Sequence, residues 1–528
     1  MVEQSGLPRM TTINEQAEAI LDVGDRFLWQ DNYDARLDHF AEVIEKLEPQ
    51  ERAELMDAIL DKDGGATMSW LTPERLDNLV ESGSITGLER DAITDAFAQA
   101  YLDGEADLVD ALQFTGMFGS SAVGPMGLMT PEAEGLQALV DRLVGSDSPQ
   151  AGQFLEKFTA DVLEQRLLVD PPMMNISEQG AHIGVLLNAL EQSGGTQAIH
   201  NALGGLTTEQ RDALYAAVGQ EGLSFGAPQL EGVGVTDPME LVIQTVAEHG
   251  TAADALHLVE YVGQNSSDQF YGVGNKPVPG RADALSELFI AHGDTLLRDL
   301  TPLDPTHTVG SSNEESTVVG ESLAALSNLI RLTALNPDSA RGGEVMDLLG
   351  EFVSDNIRVS NQPENGDNVR EIGDATTRVA MIGAVMQDAV DAGYIDLKAD
   401  VAARDEMVGF LLDVAISTIP VAGDMAAGPV SEAVAEMLGD SSLASTISEK
   451  LGGLAGSQIT DAQGRLTDEA KQAIIDALPE DHAFLEEVKA MSNSFITTQI
   501  VEAADRRGAI IPDMQSYSDW IDGAQGEN

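Results

Sequence analysis

The chain contains no cysteine. That excludes disulfide bonds, a thiol nucleophile, and zinc or iron–sulfur centres held by thiolates. Basic residues are scarce: 28 Lys and Arg stand against 89 Asp and Glu, a formal net charge of −61, and only 8 of the basic residues are Lys. A polyanion of this excess repels phosphate backbones and anionic headgroups, so nucleic acid is excluded as a partner and a resting membrane surface is a poor one. Aromatic residues are few as well, at 5%. This points to cores of Leu, Ile, Val, Ala and Met.

The usual chemical signatures are also missing. There is no Walker loop, no HExxH, no GxSxG and no spaced GxGxxG behind a strand; Gly272-Val273-Gly274 lacks the third glycine and reads as a turn. The stretch Asp61–Thr72 starts like a calcium loop with Asp61 and Asp63. It then puts Ala66 where the sharp turn needs glycine and Thr72 where a bidentate Glu is needed, so it reads as a helix-ending turn. The eight histidines are dispersed, and Gly250 and Thr251 separate the one suggestive pair, His249 and His257. Trp29, Trp70 and Trp520 lie far apart and read as packing anchors, with no sugar platform among them. No catalytic, cofactor-binding or metal-binding residues are assigned, and no cofactor is expected.

What is present is length, apolar content and helical periodicity. At 528 residues, 43% of them hydrophobic, the chain has room for roughly three or four ordinary domains with sizeable cores. Apolar residues recur at intervals of three and four in Tyr33–Leu47, Gly87–Tyr101, Arg281–Leu300, Glu321–Leu335, Val345–Ile357, Thr376–Val390 and Phe484–Val501. In the second of these, Leu88, Ile93, Phe97 and Tyr101 form the expected apolar stripe. Thr72-Pro73-Glu74, Thr130-Pro131-Glu132 and Thr208-Glu209 mark helix starts, each with a capping hydroxyl before an acidic first turn. Strand signals are short, at Val233–Thr236 and Ile357–Ser360. Leu47–Asp57, Leu206–Ala216 and Leu466–Asp476 echo one another, but irregular spacing makes them recurrent helix-start chemistry and no fixed-period solenoid.

These observations predict an all-α protein, a multi-helix bundle array with Gly- and Pro-containing loops and little or no sheet. Glycine-rich and polar breaks, at Gly116–Thr130, Gly222–Pro238, Gly263–Gly280, Thr301–Glu315 and Ser360–Asp367, divide it into an N-terminal helical domain (1–118), a second helical subdomain (131–224), a central helical domain with a loop-rich start (237–440), and a C-terminal helical segment (441–528). Met1–Gln16 has no basic n-region followed by an apolar run, so the expected location is the cytoplasm, or outside the cell by a route without a cleavable signal peptide.

The most apolar stretch is Met407–Gly428, of nearly bilayer-spanning length, with Asp413 and Asp424 as its charges and Pro420 interrupting it. It reads as a buried helix ending before Pro420. The sharper alternative is a membrane-insertion hairpin built from Phe410, Leu411, Asp413, Ile416, Pro420 and Asp424, its acids neutralised before insertion.

One resemblance enters here. ALSELFIAHGDTLLRDLT (284–301), LAALSNLIRLTALNP (323–337), VMDLLGEFVSDNI (345–357), IGAVMQDAVDAG (382–393) and FLLDVAISTIPVAGD (410–424) resemble helical scaffold regions of large bacterial polymorphic toxins and secretion-system effectors. The resemblance implies a helical scaffold, with any toxic activity elsewhere in the chain; after Leu438 the sequence offers further amphipathic helices and no catalytic tail. The expected function is a non-enzymatic, effector-like or scaffold protein working through protein–protein contact. Its alternatives are membrane perturbation through 407–428 and a hydrolase whose site is assembled from distant helices. The acidity itself allows two readings: a surface for a cationic protein partner, or a solvated surface suited to a salt-rich surrounding.

Overall fold

The computed structural model describes residues 12–21, 33–44, 46–47, 51, 55, 58–59, 71, 73–114, 149–168, 176–219, 236–269, 271–272, 276–277, 279–303, 313–334, 336, 339–360, 362, 369–391, 427–437, 442–460 and 466–478. Over these residues the protein is all-α. The one exception to helix and turn of any extent is a hairpin of two-residue strands, β1 (Tyr271–Gly272) antiparallel to β2 (Lys276–Pro277), beside a single isolated bridge between Thr460 and Leu466. The chain divides into two compact units, Met1–Thr245 and Val246–Asn528.

In the first unit, α1 (Ile13–Leu21), α2 (Tyr33–Ile44), α3 (Pro73–Glu81), α4 (Gly87–Asp103) and α5 (Leu108–Phe114) precede α6 (Pro149–Val162), which runs into a π-helical turn, Leu163–Leu167. Then come α7 (Ile176–Leu203), broken at Gly195 where φ is 66°, α8 (Thr208–Gly219) and α9 (Pro238–His249), within which the unit boundary falls. The second unit continues with α10 (Ala252–Gln269), the hairpin, α11 (Pro279–Asp299), α12 (Asn313–Leu332), α13 (Gly342–Ser360) and α14 (Val369–Asp391). It ends on α15 (Ala427–Met437), α16 (Leu443–Leu451), α17 (Gly456–Ile459) and α18 (Asp468–Ile475).

Local chemistry explains where these helices begin. Helices α3, α6, α9 and α11 each start on proline, whose missing N–H costs nothing in a first turn and whose fixed φ suits the helix. Others start on reciprocal capping boxes. Glu89 N–H donates to Thr86 Oγ1 at 3.2 Å while Glu89 Oε2 accepts from Thr86 N–H at 2.8 Å. Thr12 with Glu15, Asp107 with Asp110, Thr207 with Gln210 and Thr251 with Asp254 repeat the device. At α8 the capping residue is therefore Thr207, one position before the expected Thr208. Two of the echoing segments share a buried leucine before a capping threonine: Leu206 precedes Thr207 in a reciprocal box, and Leu466 precedes Thr467, which accepts from Ala470 N–H with no return bond.

The first unit's core is mostly aliphatic, as expected, with one aromatic cluster set into it. Phe97 and Phe114 stack at 4.0 Å between ring centroids, Phe154 and Phe158 stack at 5.6 Å, and Tyr101 meets Phe154 edge-on at 5.4 Å. Five aromatic rings thus meet where α4, α5 and α6 come together, a grouping that composition averages out. Lys157 sits 3.9 Å over the Tyr101 ring and donates to Asp161 at 2.9 Å, and Asp161 also accepts from the Tyr101 hydroxyl. Burial first, and then Asp161, push the phenol's pKa well up, so it stays protonated as a donor. Leu88, expected on the inward stripe, is 83% exposed. It lies in the first turn of α4, and burial on that helix begins only at Ile93.

In the second unit α10 packs on α12, α12 on α14, α14 on α13, and α13 on α11, which returns to α10. Helices α10 and α12 approach each other closely. A Cβ at Gly263 would lie 2.3 Å from Ala325 Cα, and Asn328 Nδ2 donates to the Gly263 carbonyl at 2.8 Å. Leu285, Phe289, Leu326, Leu329, Leu349 and Val385 fill the middle. Three expectations are corrected in this unit. The break expected at 263–280 is mostly the end of α10, the hairpin and the start of α11; Ile357–Ser360 is the last turn of α13 and no strand; and Asn313–Glu315, expected in a loop, opens α12.

Candidate functional site

Helix α14 places Arg370, Asp374 and Arg378 at four-residue intervals, which brings them onto one face. The last turns of α11 place Asp294 and Arg298 one turn apart, and α13 contributes Glu351 and Asp355. These three helices enclose a cleft of about 610 Å³, with Leu348, Phe352, Val359 and Ala375 supplying its apolar lining. The approach of α11 to α13 at its edge depends on Gly293, where a Cβ would stand 2.7 Å from Leu348 Cδ2.

The cleft's charges are unevenly paired. Arg370 lies 3.8 Å from Asp374, and Arg358 lies 3.5 Å from Asp355. Arg298 and Arg378 make no ion pair or hydrogen bond among the described residues, and the Nε of Arg378 is shut off from solvent without an acceptor. Burial lowers the Arg378 pKa from its ordinary value and Arg298 lowers it further, against the opposing pull of Asp374. A guanidinium keeps its charge under such a shift, so two like charges bear on each other in one recess.

The titratable lining is carboxylate and guanidinium alone. Guanidinium is a fixed charge with a planar fork of donors, a set suited to salt-bridge recognition of a bound group. A second cluster lies where α10, α11 and α12 meet. Half-buried Glu260 has a pKa raised first by burial and then by Glu321 and Asp299, with His257 opposing. Among the described residues no set of three or more His, Asp and Glu is placed to hold a metal ion.

The sequence-derived candidates are placed differently. Phe410, Leu411, Asp413, Ile416, Pro420 and Asp424 lie outside the described residues, as do the calcium-like loop up to Trp70, all three Trp, and the helix expected over Phe484–Val501. Among the described residues no helix is long and apolar enough to cross a membrane. His249 ends α9 and His257 lies in α10, so the break expected at Gly250 and Thr251 separates them. The arginines of the cleft carried a signal that periodicity alone passes over: Arg-x3-Asp-x3-Arg in a chain poor in arginine. No protein-family model matches the chain, and no characterised protein matches it in sequence.

Proposed function

We propose that this protein is a non-enzymatic scaffold of the bacterial effector type, and that it acts by holding a segment of a protein partner in the α11–α13–α14 cleft. The observation carrying the reading is the cleft's lining. Charges of both signs and apolar side chains line it together, a makeup that suits docking of a protein segment. The cleft also falls within the stretch whose helical texture resembles effector scaffolds, 284–430. A partner cationic over most of its surface suits the net charge of −61 by steering the encounter.

The test begins with a partner captured by the full chain, identified by mass spectrometry and then purified. Binding of the two purified proteins should weaken at least tenfold in Leu348→Asp and in Val359→Asp, each checked for an unchanged circular-dichroism spectrum. The exposed Leu88→Asp change should leave it as it was. Binding indifferent to both cleft changes overturns the reading. So does a purified chain that turns over a defined substrate and loses that activity on a single-residue change.

A further inference from the structure

We propose that Arg298 and Arg378 form a carboxylate-binding point, at which an acidic side chain of the docked segment is held. The inference rests on the docking reading and narrows it to one contact.

In a chain with 89 carboxylates to 28 basic groups, an arginine has acids available on every side. Arg341 is held by Glu344 at 2.7 Å, Arg90 by Asp77 at 3.1 Å, and Arg358 by Asp355 at 3.5 Å. Arg298 and Arg378 line the same recess from two helices and have no such partner among the described residues. The charge of Arg298 bears unfavourably on Arg378, Asp374 opposes that without forming an ion pair with it, and the Nε of Arg378 is buried without an acceptor. A carboxylate placed between the two guanidinium groups relieves the repulsion and takes the place of water on their accessible N–H donors. Its two oxygens match the planar fork, which a lone lysine would not offer.

The surrounding acids define the rest of the ligand. Asp294, Glu351, Asp355, Glu371 and Asp374 line the same cleft. They repel a run of negative charge, which disfavours a phosphate polymer or a polyacidic tract. They admit a single carboxylate with neutral or cationic residues on either side. A segment of the form basic–small–acidic–small–basic therefore fits, and it is compatible with a partner that is cationic overall.

The experiment titrates the purified full chain with acetyl-Lys-Ala-Glu-Ala-Lys-amide and with its Gln counterpart at one ionic strength. It is followed by calorimetry and by the side-chain Nε–Hε NMR signals of arginine. The Glu peptide should bind about tenfold more tightly than the Gln peptide, the step expected of a charge-assisted hydrogen-bonded pair. Arg378→Gln and the more exposed Arg298→Gln should each abolish that preference, Arg378→Lys should reduce it, and Arg211→Gln in the other unit should leave it intact. Equal binding of the two peptides, or a preference that survives both Arg378→Gln and Arg298→Gln, overturns the assignment. If the preference is absent while the purified partner still depends on Leu348, only the carboxylate point is lost. If that dependence is absent too, the docking reading falls with it.

Discussion

At the level of single residues, the protein keeps several charged groups where water is scarce, and each has a consequence for pH or stability. Glu260 is the clearest. Burial raises its pKa above the ordinary 4.5, Glu321 and Asp299 add to the rise, and His257 opposes it. A carboxyl whose folded-state pKa lies above its unfolded value favours the folded state fully below the unfolded pKa, and that contribution is lost as pH climbs through the raised value. At neutral pH the ionised Glu260 is therefore a cost. Replacing it with Gln removes the charge and keeps the shape. Glu260→Gln should melt at a higher temperature than the parent at about pH 7, and the gap should close by about pH 4, where the parent's carboxyl is protonated as well. A gap of constant size across that range would show that the substitution acts through something other than ionisation. Tyr101 differs in kind: its pKa is also raised, but it is neutral throughout the physiological range and serves as a hydrogen-bond donor inside an aromatic cluster.

At the level of helices, close approach decides more than propensity. Gly263 in α10 illustrates the competition. Alanine is the better helix former by about 1 kcal/mol, yet overpacking a close contact costs about 1–3 kcal/mol and loss of a buried hydrogen bond about 1 more. With a Cβ 2.3 Å from Ala325 and the Asn328 bond to the Gly263 carbonyl at stake, packing wins. Gly263→Ala should destabilise the second unit by about 1–3 kcal/mol in urea unfolding. Gly373→Ala in α14, where a Cβ meets nothing within 4 Å, should be neutral or stabilising. If both substitutions act alike, α10 and α12 are not in the contact described. These same helices show how far the sequence could be read. The periodicity of Arg281–Leu300, Val345–Ile357 and Thr376–Val390 foretells α11, α13 and α14, because an apolar stripe must be buried whatever it is buried against. It cannot tell which polar faces will confront each other, since Arg370-x3-Asp374-x3-Arg378 has the same pattern on a solvated face as on the wall of a cleft. Leu88 went astray for a related reason: the stripe rule does not say at which turn of a helix burial begins, and on α4 it begins at Ile93. The aromatic cluster of α4, α5 and α6 was hidden by averaging over the whole chain.

At the level of the whole molecule, the dominant quantity is the charge of −61. Among the described residues the ion pairs are mostly exposed, such as Lys46 with Glu42, and pairs of that kind contribute about 0–1 kcal/mol each. The unpaired excess of acid outweighs them, so self-repulsion should set the response to salt. Screening shortens from a reach of about 10 Å at 0.1 M to about 3 Å at 1 M, and adding NaCl over that interval should raise the melting temperature by roughly 5–10 °C, with KCl equivalent. A flat or falling curve would mean that the local pairs matter more than the excess. The same measurement separates the two readings of the acidity. If the surface is an adaptation to salt, monovalent salt alone brings stability to its plateau, and spermine at micromolar concentration adds nothing at low ionic strength. If the carboxylates are arrayed for a cationic partner, spermine should stabilise the fold at concentrations too low to change the ionic strength, because a multivalent cation bridges neighbouring carboxylates that a monovalent ion only screens.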